Sequence, residues 1–238
     1  MKPVDGLKRE KEYIKMMVYG VDSAIASNTQ LTNGYRLYDW VMRQNSNPDF
    51  WGRTLLGHDP ITREEIDYLQ GKKCRIALVI RDLTEAGVST YEGEPDALRA
   101  VEAAKGLGVP EHAGIALVAE IHSDLSINHN WMISFAQTLF ENGYIPGFIG
   151  NTDSARNFNF DRQCSHYVQA TGDYDCFNAV YWATEPKVEG EPGEWSPFCP
   201  SALSPEDIGL WQCGSLVFGS KEVGQVYGRD ETLLNRMW

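Results

Sequence analysis

The chain has 238 residues, enough for one large domain, and 42% hydrophobic with 23% charged residues is an ordinary globular composition able to bury a sizeable core. Its formal net charge of −12 speaks against nucleic acid and anionic membrane surfaces as partners, since both are held by clustered Lys and Arg. No apolar run approaches the ~20 residues that span a bilayer.

Residues 1–15 are mixed in charge and lack the apolar stretch of a signal peptide. They are expected to form an extension ahead of one domain over residues 16–238. That pattern suits a cytoplasmic protein, or one exported or released by a non-classical route without a cleaved signal. From residue 16 on, short apolar runs alternate with helical patterns, the signature of βα units and a parallel sheet. Eight runs read as strands: 16–22, 50–55, 75–81, 114–120, 144–150, 177–183, 208–212, and 224–226 with an extension to 230. They are rich in Val, Ile and aromatics, as buried strands are.

Helices fill most of the gaps. Thr62-Arg63-Glu64-Glu65 has the form of a capping box, opening a helix that runs to about Gln70 and ends at Gly71. Residues 95–105 are amphipathic, with Ala97, Leu98, Val101 and Ala104 on one stripe. Residues 126–141 form another helix, closed by Asn142-Gly143. Residues 153–169 are helical in parts. Residues 185–205, broken by Gly and Pro, read as a long irregular loop of the kind that often carries function. The fold class expected is α/β: a single (β/α)8 TIM-like barrel with an irregular late segment.

The five cysteines, Cys74, Cys164, Cys176, Cys199 and Cys213, show no CxxC spacing, so a zinc site or thioredoxin-like motif is not expected. They read as mostly buried reduced thiols, with one pair among the last three able to bridge after secretion. Glycine-rich phosphate loops and a Gly-x-Ser-x-Gly nucleophile elbow are absent. Glu120, His122, Asp124 and His129 are the one metal-like cluster, but the segment reads as a polar loop, and neither a metal nor another cofactor is expected.

The carboxylates carry the functional signal. Asp22, Glu120 and Asp230 each end an apolar run. In a parallel barrel the C-terminal strand ends open onto the face that holds the active site. Acids brought there from distant parts of the chain can converge, and glycoside hydrolysis needs little more than two positioned carboxyl groups. Burial beside apolar strand residues would raise the pKa of Glu120 and suit it as general acid. Asp22 would stay ionised as nucleophile, electrostatic stabiliser or orienter of an acetamido group. A turn or cap Asp and a surface Glu are the plainer alternatives.

Several segments together resemble a known series: Gly20-Val21-Asp22, Phe50-Trp51-Gly52-Arg53, residues 62–69, Gly93-Glu94-Pro95-Asp96-Ala97, Leu107-Gly108-Val109-Pro110, residues 115–120 and Gly143-Tyr144-Ile145-Pro146-Gly147. In order and spacing the chain resembles the bacterial glycoside-hydrolase-like barrel domains, distant relatives of the Chalaropsis-type lysozymes that cleave peptidoglycan. The resemblance runs from about Tyr19 to Asp230. It implies a (β/α) barrel with acids ending the first and fourth strands, positions held here by Asp22 and Glu120, and an acid near the last strand, matched by Asp230. The Asp-x-Glu pattern of true lysozymes is replaced by Val118-Ala119-Glu120, which fits the hydrolase-like branch.

Glu120 and Asp22 are therefore the expected catalytic pair. Arg53 is expected either to tune the acids or to form a structural ion pair. Trp182 and Trp211 are candidates for stacking on a sugar face, Gln212 for donating to hydroxyls, and Asp230 for binding a sugar hydroxyl. The substrate implied is a cell-wall amino-sugar polymer of peptidoglycan type, handled by a monomer. The alternatives are a barrel that binds glycan or protein without cleaving it and a metal-dependent hydrolase using His122 and its neighbours.

Overall fold

The computed structural model describes residues 17–152, 159–172, 178–184 and 192–238. The eight predicted strands are all present, as β1 (Val18–Ser23), β2 (Phe50–Leu56), β3 (Arg75–Ile80), β4 (Ala116–Ile121), β5 (Ile145–Asn151), β6 (Val180–Thr184), β7 (Ile208–Phe218) and β8 (Lys221–Gly228). They close into one barrel in chain order. Five helices of eight or more residues lie along the described chain: α1 (Leu37–Gln44), α2 (Arg63–Gly71), α3 (Glu94–Leu107), α4 (His129–Glu141) and α5 (Asn159–Thr171), with a single turn of α-helix at Glu85–Val88 and 3-10 turns at Pro205–Asp207 and Glu231–Arg236. The architecture is an α/β barrel, mixed and mostly parallel.

The mixture corrects the uniform strand direction expected from the sequence. Strands β1 to β7 pair in parallel, but β8 is antiparallel to both β7 and β1. The cause is local. β7 continues past Gln212 to Phe218, and Phe218 pairs with Lys221 across Gly219 and Ser220. A two-residue loop can only return the chain antiparallel, since a parallel crossover needs a dozen or more residues. Gly219 takes φ +60°, the conformation such tight turns favour.

Strand alternation divides the core in two. Side chains at Val18, Phe50, Ala77, Val79, Ala116, Val118, Ile149, Trp182, Leu210 and Val226 fill the barrel. Their neighbours Tyr19, Val21, Trp51, Ile76, Leu78, Leu117, Phe148, Tyr181 and Trp211 face outward into the surrounding layer. Inside, Phe50 occupies the space that Gly20 leaves: a β-carbon there would lie 2.5 Å from its ring. The C-terminal segment closes the mouth at the strands' N-terminal ends. Leu233 and Met237 join the interior cluster, and Trp238 exchanges backbone hydrogen bonds with Ile76 at 3.0 and 2.8 Å.

The helices from α2 on follow their sequence signals with two informative departures, whereas α1 was not expected from the sequence. Thr62 caps α2, its hydroxyl accepting from the Glu65 amide at 3.3 Å. The Glu65 carboxylate does not complete the box. It accepts instead from Arg53 Nε at 2.8 Å and from the Ser27 amide at 2.6 Å. On α3 the buried stripe is Ala97, Ala100, Val101 and Ala104, whereas Leu98 is exposed. Pro95 sits in the first turn and Gly108, at φ 81°, caps the end. Trp131 of α4 is core, stacked on Phe135 and bonded from its indole N–H to Asp96 at 3.1 Å. Residues 1–16, 153–158 and 185–191 and Cys176 lie outside the described residues, so the N-terminal extension, the start of the 153–169 helix and the first part of the 185–205 loop do too. Residues 192–204 contain no helix or strand, as expected.

Candidate active site

Asp22 is the inward-facing residue at the C-terminal end of β1, and Glu120 holds the same kind of position on β4. Between them, Arg81 follows the last residue of β3. Its guanidinium donates to both acids, from Nη2 to Asp22 Oδ1 and from Nη1 to Glu120 Oε2. The three side chains are 11% (Asp22), 12% (Arg81) and 20% (Glu120) exposed, so the cluster is mostly desolvated yet open at one side. One cation thus ties together two acids that lie 98 positions apart in the sequence. Arg81 was not singled out from the sequence, although the strand-end position that nominated the acids applies equally to it.

The surroundings shift the Asp22 carboxyl. Burial pushes the Asp22 carboxyl up, Arg81 opposes this, and the negative Glu120 raises it again; the balance lies at about 6. A raised proton donor therefore exists in the cluster, and it is Asp22, the residue expected from sequence to stay ionised.

The remaining candidates divide sharply. Trp182 lies inside the barrel, 1% exposed, with its ring edge close to the inward side of Gly52, so it forms part of the floor beneath Asp22. Its indole N–H has no hydrogen-bond partner among the described residues. Gln212 shares its register row with Thr184, which is in turn level with Asn151, giving a polar row at the same mouth. The Gln212 amide covers Gly224, the residue of β8 level with Asp22.

Three candidates lie elsewhere. Arg53 faces outward from β2 into the helix layer, where it pairs with Glu65 and donates to the carbonyls of Ser23, Ala24 and Asp59. It is the structural ion pair, and it reaches Asp22 only as the weakest of the influences lowering its carboxyl. Trp211 also faces outward and packs edge-on against Trp195 at 5.7 Å, so it does not line the mouth. Asp230 follows antiparallel β8 and sits at the opposite end of the barrel from Asp22. There it caps the turn Glu231–Arg236, accepting from the Thr232 amide at 2.9 Å and from Arg229 at 3.0 Å.

Among the described residues no three His, Cys, Asp or Glu side chains are arranged to hold a metal ion. His122 and Asp124 are exposed, while His129 is engaged with Gln163 at 3.0 Å and with the His166 ring. No described helix is long and apolar enough to cross a membrane.

No protein-family model and no curated protein matches this sequence. Solved structures share its fold. An uncharacterised protein of B. stearothermophilus is 23% identical and superimposes with a TM-score of 0.76 over 93% of this chain and all of the other. A Tat-secreted protein of Mycobacterium tuberculosis, solved in complex with HEPES, is 15% identical with a TM-score of 0.53 over 89% of this chain and 94% of its own. A Streptococcus pneumoniae virulence factor described as a glycosyl hydrolase 25 participating in host cell invasion is 13% identical, with a TM-score of 0.52 over 97% and 98% of the two chains. At these identities the likeness shows a shared barrel fold and nothing finer.

Proposed function

We propose that this protein is a glycoside hydrolase acting on a cell-wall amino-sugar polymer of peptidoglycan type, with Asp22 and Glu120 as its paired carboxyl groups. The observation that carries the reading is the convergence of these two acids on Arg81 at the C-terminal mouth of the barrel. Two carboxyl groups flanking one bond are the minimal apparatus for glycosidic cleavage. The likeness to a barrel described as a glycosyl hydrolase 25 supports it.

The raised Asp22 carboxyl gives it the acid's role, which the sequence had assigned to Glu120. Asp22, held at about 6, keeps a proton in weakly acidic medium and delivers it to the departing glycosidic oxygen. As the C–O bond breaks, the anomeric carbon bonds either to Glu120 or to a water that Glu120 deprotonates, and water completes the hydrolysis by either route. Arg81 stays charged throughout and neutralises whichever acid is anionic. The polar row of Asn151, Thr184 and Gln212 supplies the surface against which a sugar ring rests, and the buried Trp182 supports Asp22 from below.

The test is reducing-sugar release from purified peptidoglycan by the wild type beside Asp22→Asn and Glu120→Gln. Release that both substitutions abolish supports the reading. Release unaffected by either substitution refutes the assignment of the pair. A second reading has its own observation: Arg81 occupies the space between the acids that a scissile oxygen would enter. A barrel that binds glycan without cutting it would pellet with the polymer and release nothing.

A further inference from the structure

Asp22 and Arg81 are not on adjacent strands. Asp22 belongs to β1 and Arg81 follows β3, so their contact passes over β2. Strands lie about 4.8 Å apart, so the two backbones are separated by roughly 10 Å. On β2 the residue level with Asp22 is Gly52, in the inward-facing row between Phe50 and Thr54. A β-carbon on Gly52 would collide first with Asp22 Oδ1, the oxygen that accepts from Arg81, and would then lie 3.1 Å from the Trp182 ring edge.

We propose that Gly52 is a positioning residue of the carboxylate pair: its missing side chain is the opening through which Asp22 crosses β2 to meet Arg81 above the Trp182 ring. The catalytic meaning of this role rests on the hydrolase reading above. Conformational freedom does not explain the glycine, because Gly52 is not among the glycines with positive φ. Space does. Gly224, level with Asp22 on the other side, makes the natural contrast. A β-carbon there would first meet the Gln212 amide, the far end of a flexible side chain, to which its three nearest atoms all belong.

The role is read without substrate, by following the Asp22 carboxyl carbon through a pH titration by NMR. In an otherwise native chain, Arg81→Gln is expected to raise the Asp22 midpoint by about a unit or more, since a nearby guanidinium favours the anion by that much. With Gly52→Ala the same Arg81→Gln change is expected to move the midpoint by only a small fraction of that. With Gly224→Ala the full response is expected to remain. An undiminished response in Gly52→Ala, or its equal loss in Gly224→Ala, overturns the proposal. Should Gly52→Ala fail to fold alone, it is placed in an Asp22→Ala chain. Recovery of a melting transition close to that of Asp22→Ala supports the proposal, and continued failure to fold shows that other atoms own the clash. Each readout stands whether or not the protein releases sugar, so it separates this inference from the fate of the hydrolase reading.

Discussion

Arg53 and Glu65 meet outside the barrel wall, Nε to Oε1 at 2.8 Å, with both side chains almost wholly removed from solvent. Through this pair the loops after β1 and β2 are fastened to α2. Arg53 binds the carbonyls of Ser23, Ala24 and Asp59, and Glu65 binds the Ser27 amide. Ser23 directly follows Asp22, so the pair anchors the segment that carries the candidate acid.

Removing one partner of such a pair leaves the other charge buried and uncompensated. Glu65→Ala is therefore expected to cost about 3–5 kcal/mol, well above a typical surface change. The simultaneous replacement Arg53→Met with Glu65→Leu is expected to cost much less, because no charge remains buried. Urea midpoints of the three chains check this, and equal losses for the single and double replacements would refute it.

The raised Asp22 carboxyl couples folding to pH. The unfolded group titrates at 3.8 and the folded one at about 6, so between these values the folded state binds more protons. Stability then falls as pH rises through this window, and the loss is complete above about 6. Asp22→Asn escapes it. Relative to wild type, the Asn chain is expected to gain on the order of 2–3 kcal/mol between pH 4 and pH 7. Paired denaturation curves at the two pH values measure the gain; a constant difference between the chains contradicts the assignment.

Catalysis should show the same group. If protonated Asp22 is the acid, turnover on peptidoglycan declines on the alkaline side with a midpoint near 6. Asp22→Asn and Glu120→Gln are each expected to lower kcat by about 10²–10⁴-fold. An alkaline midpoint that persists in residual Asp22→Asn activity would transfer the role to another residue.

At the other mouth, Asp230 has a different job. Partial burial pushes its carboxyl up, but hydrogen bonds from Thr232 and Arg229 outweigh this and hold it below the usual range. Asp230→Ala is expected to leave sugar release unchanged and to cost roughly 1 kcal/mol through the lost cap. A loss of activity at unchanged stability would place Asp230 in the site after all.

The sequence by itself determined the eight strands, the α2 helix with its Thr62 cap, the α3 helix, and the placement of Asp22 and Glu120 at strand ends. These are properties of neighbouring residues: apolar runs, a helical apolar stripe, a Thr62 oxygen three positions from an orphan amide. Only the tertiary structure decided which way β8 runs, and that reversal removed Asp230 from the mouth it was expected to share. It also decided that Arg53 turns outward while Arg81 bridges the acids, because the face a strand residue occupies is set by register within the closed barrel. The partners of a charge come from elements far apart in the chain, and burial among them makes Asp22 the raised carboxyl. Local pattern fixes where a side chain sits along its strand; closure of the barrel fixes what it meets.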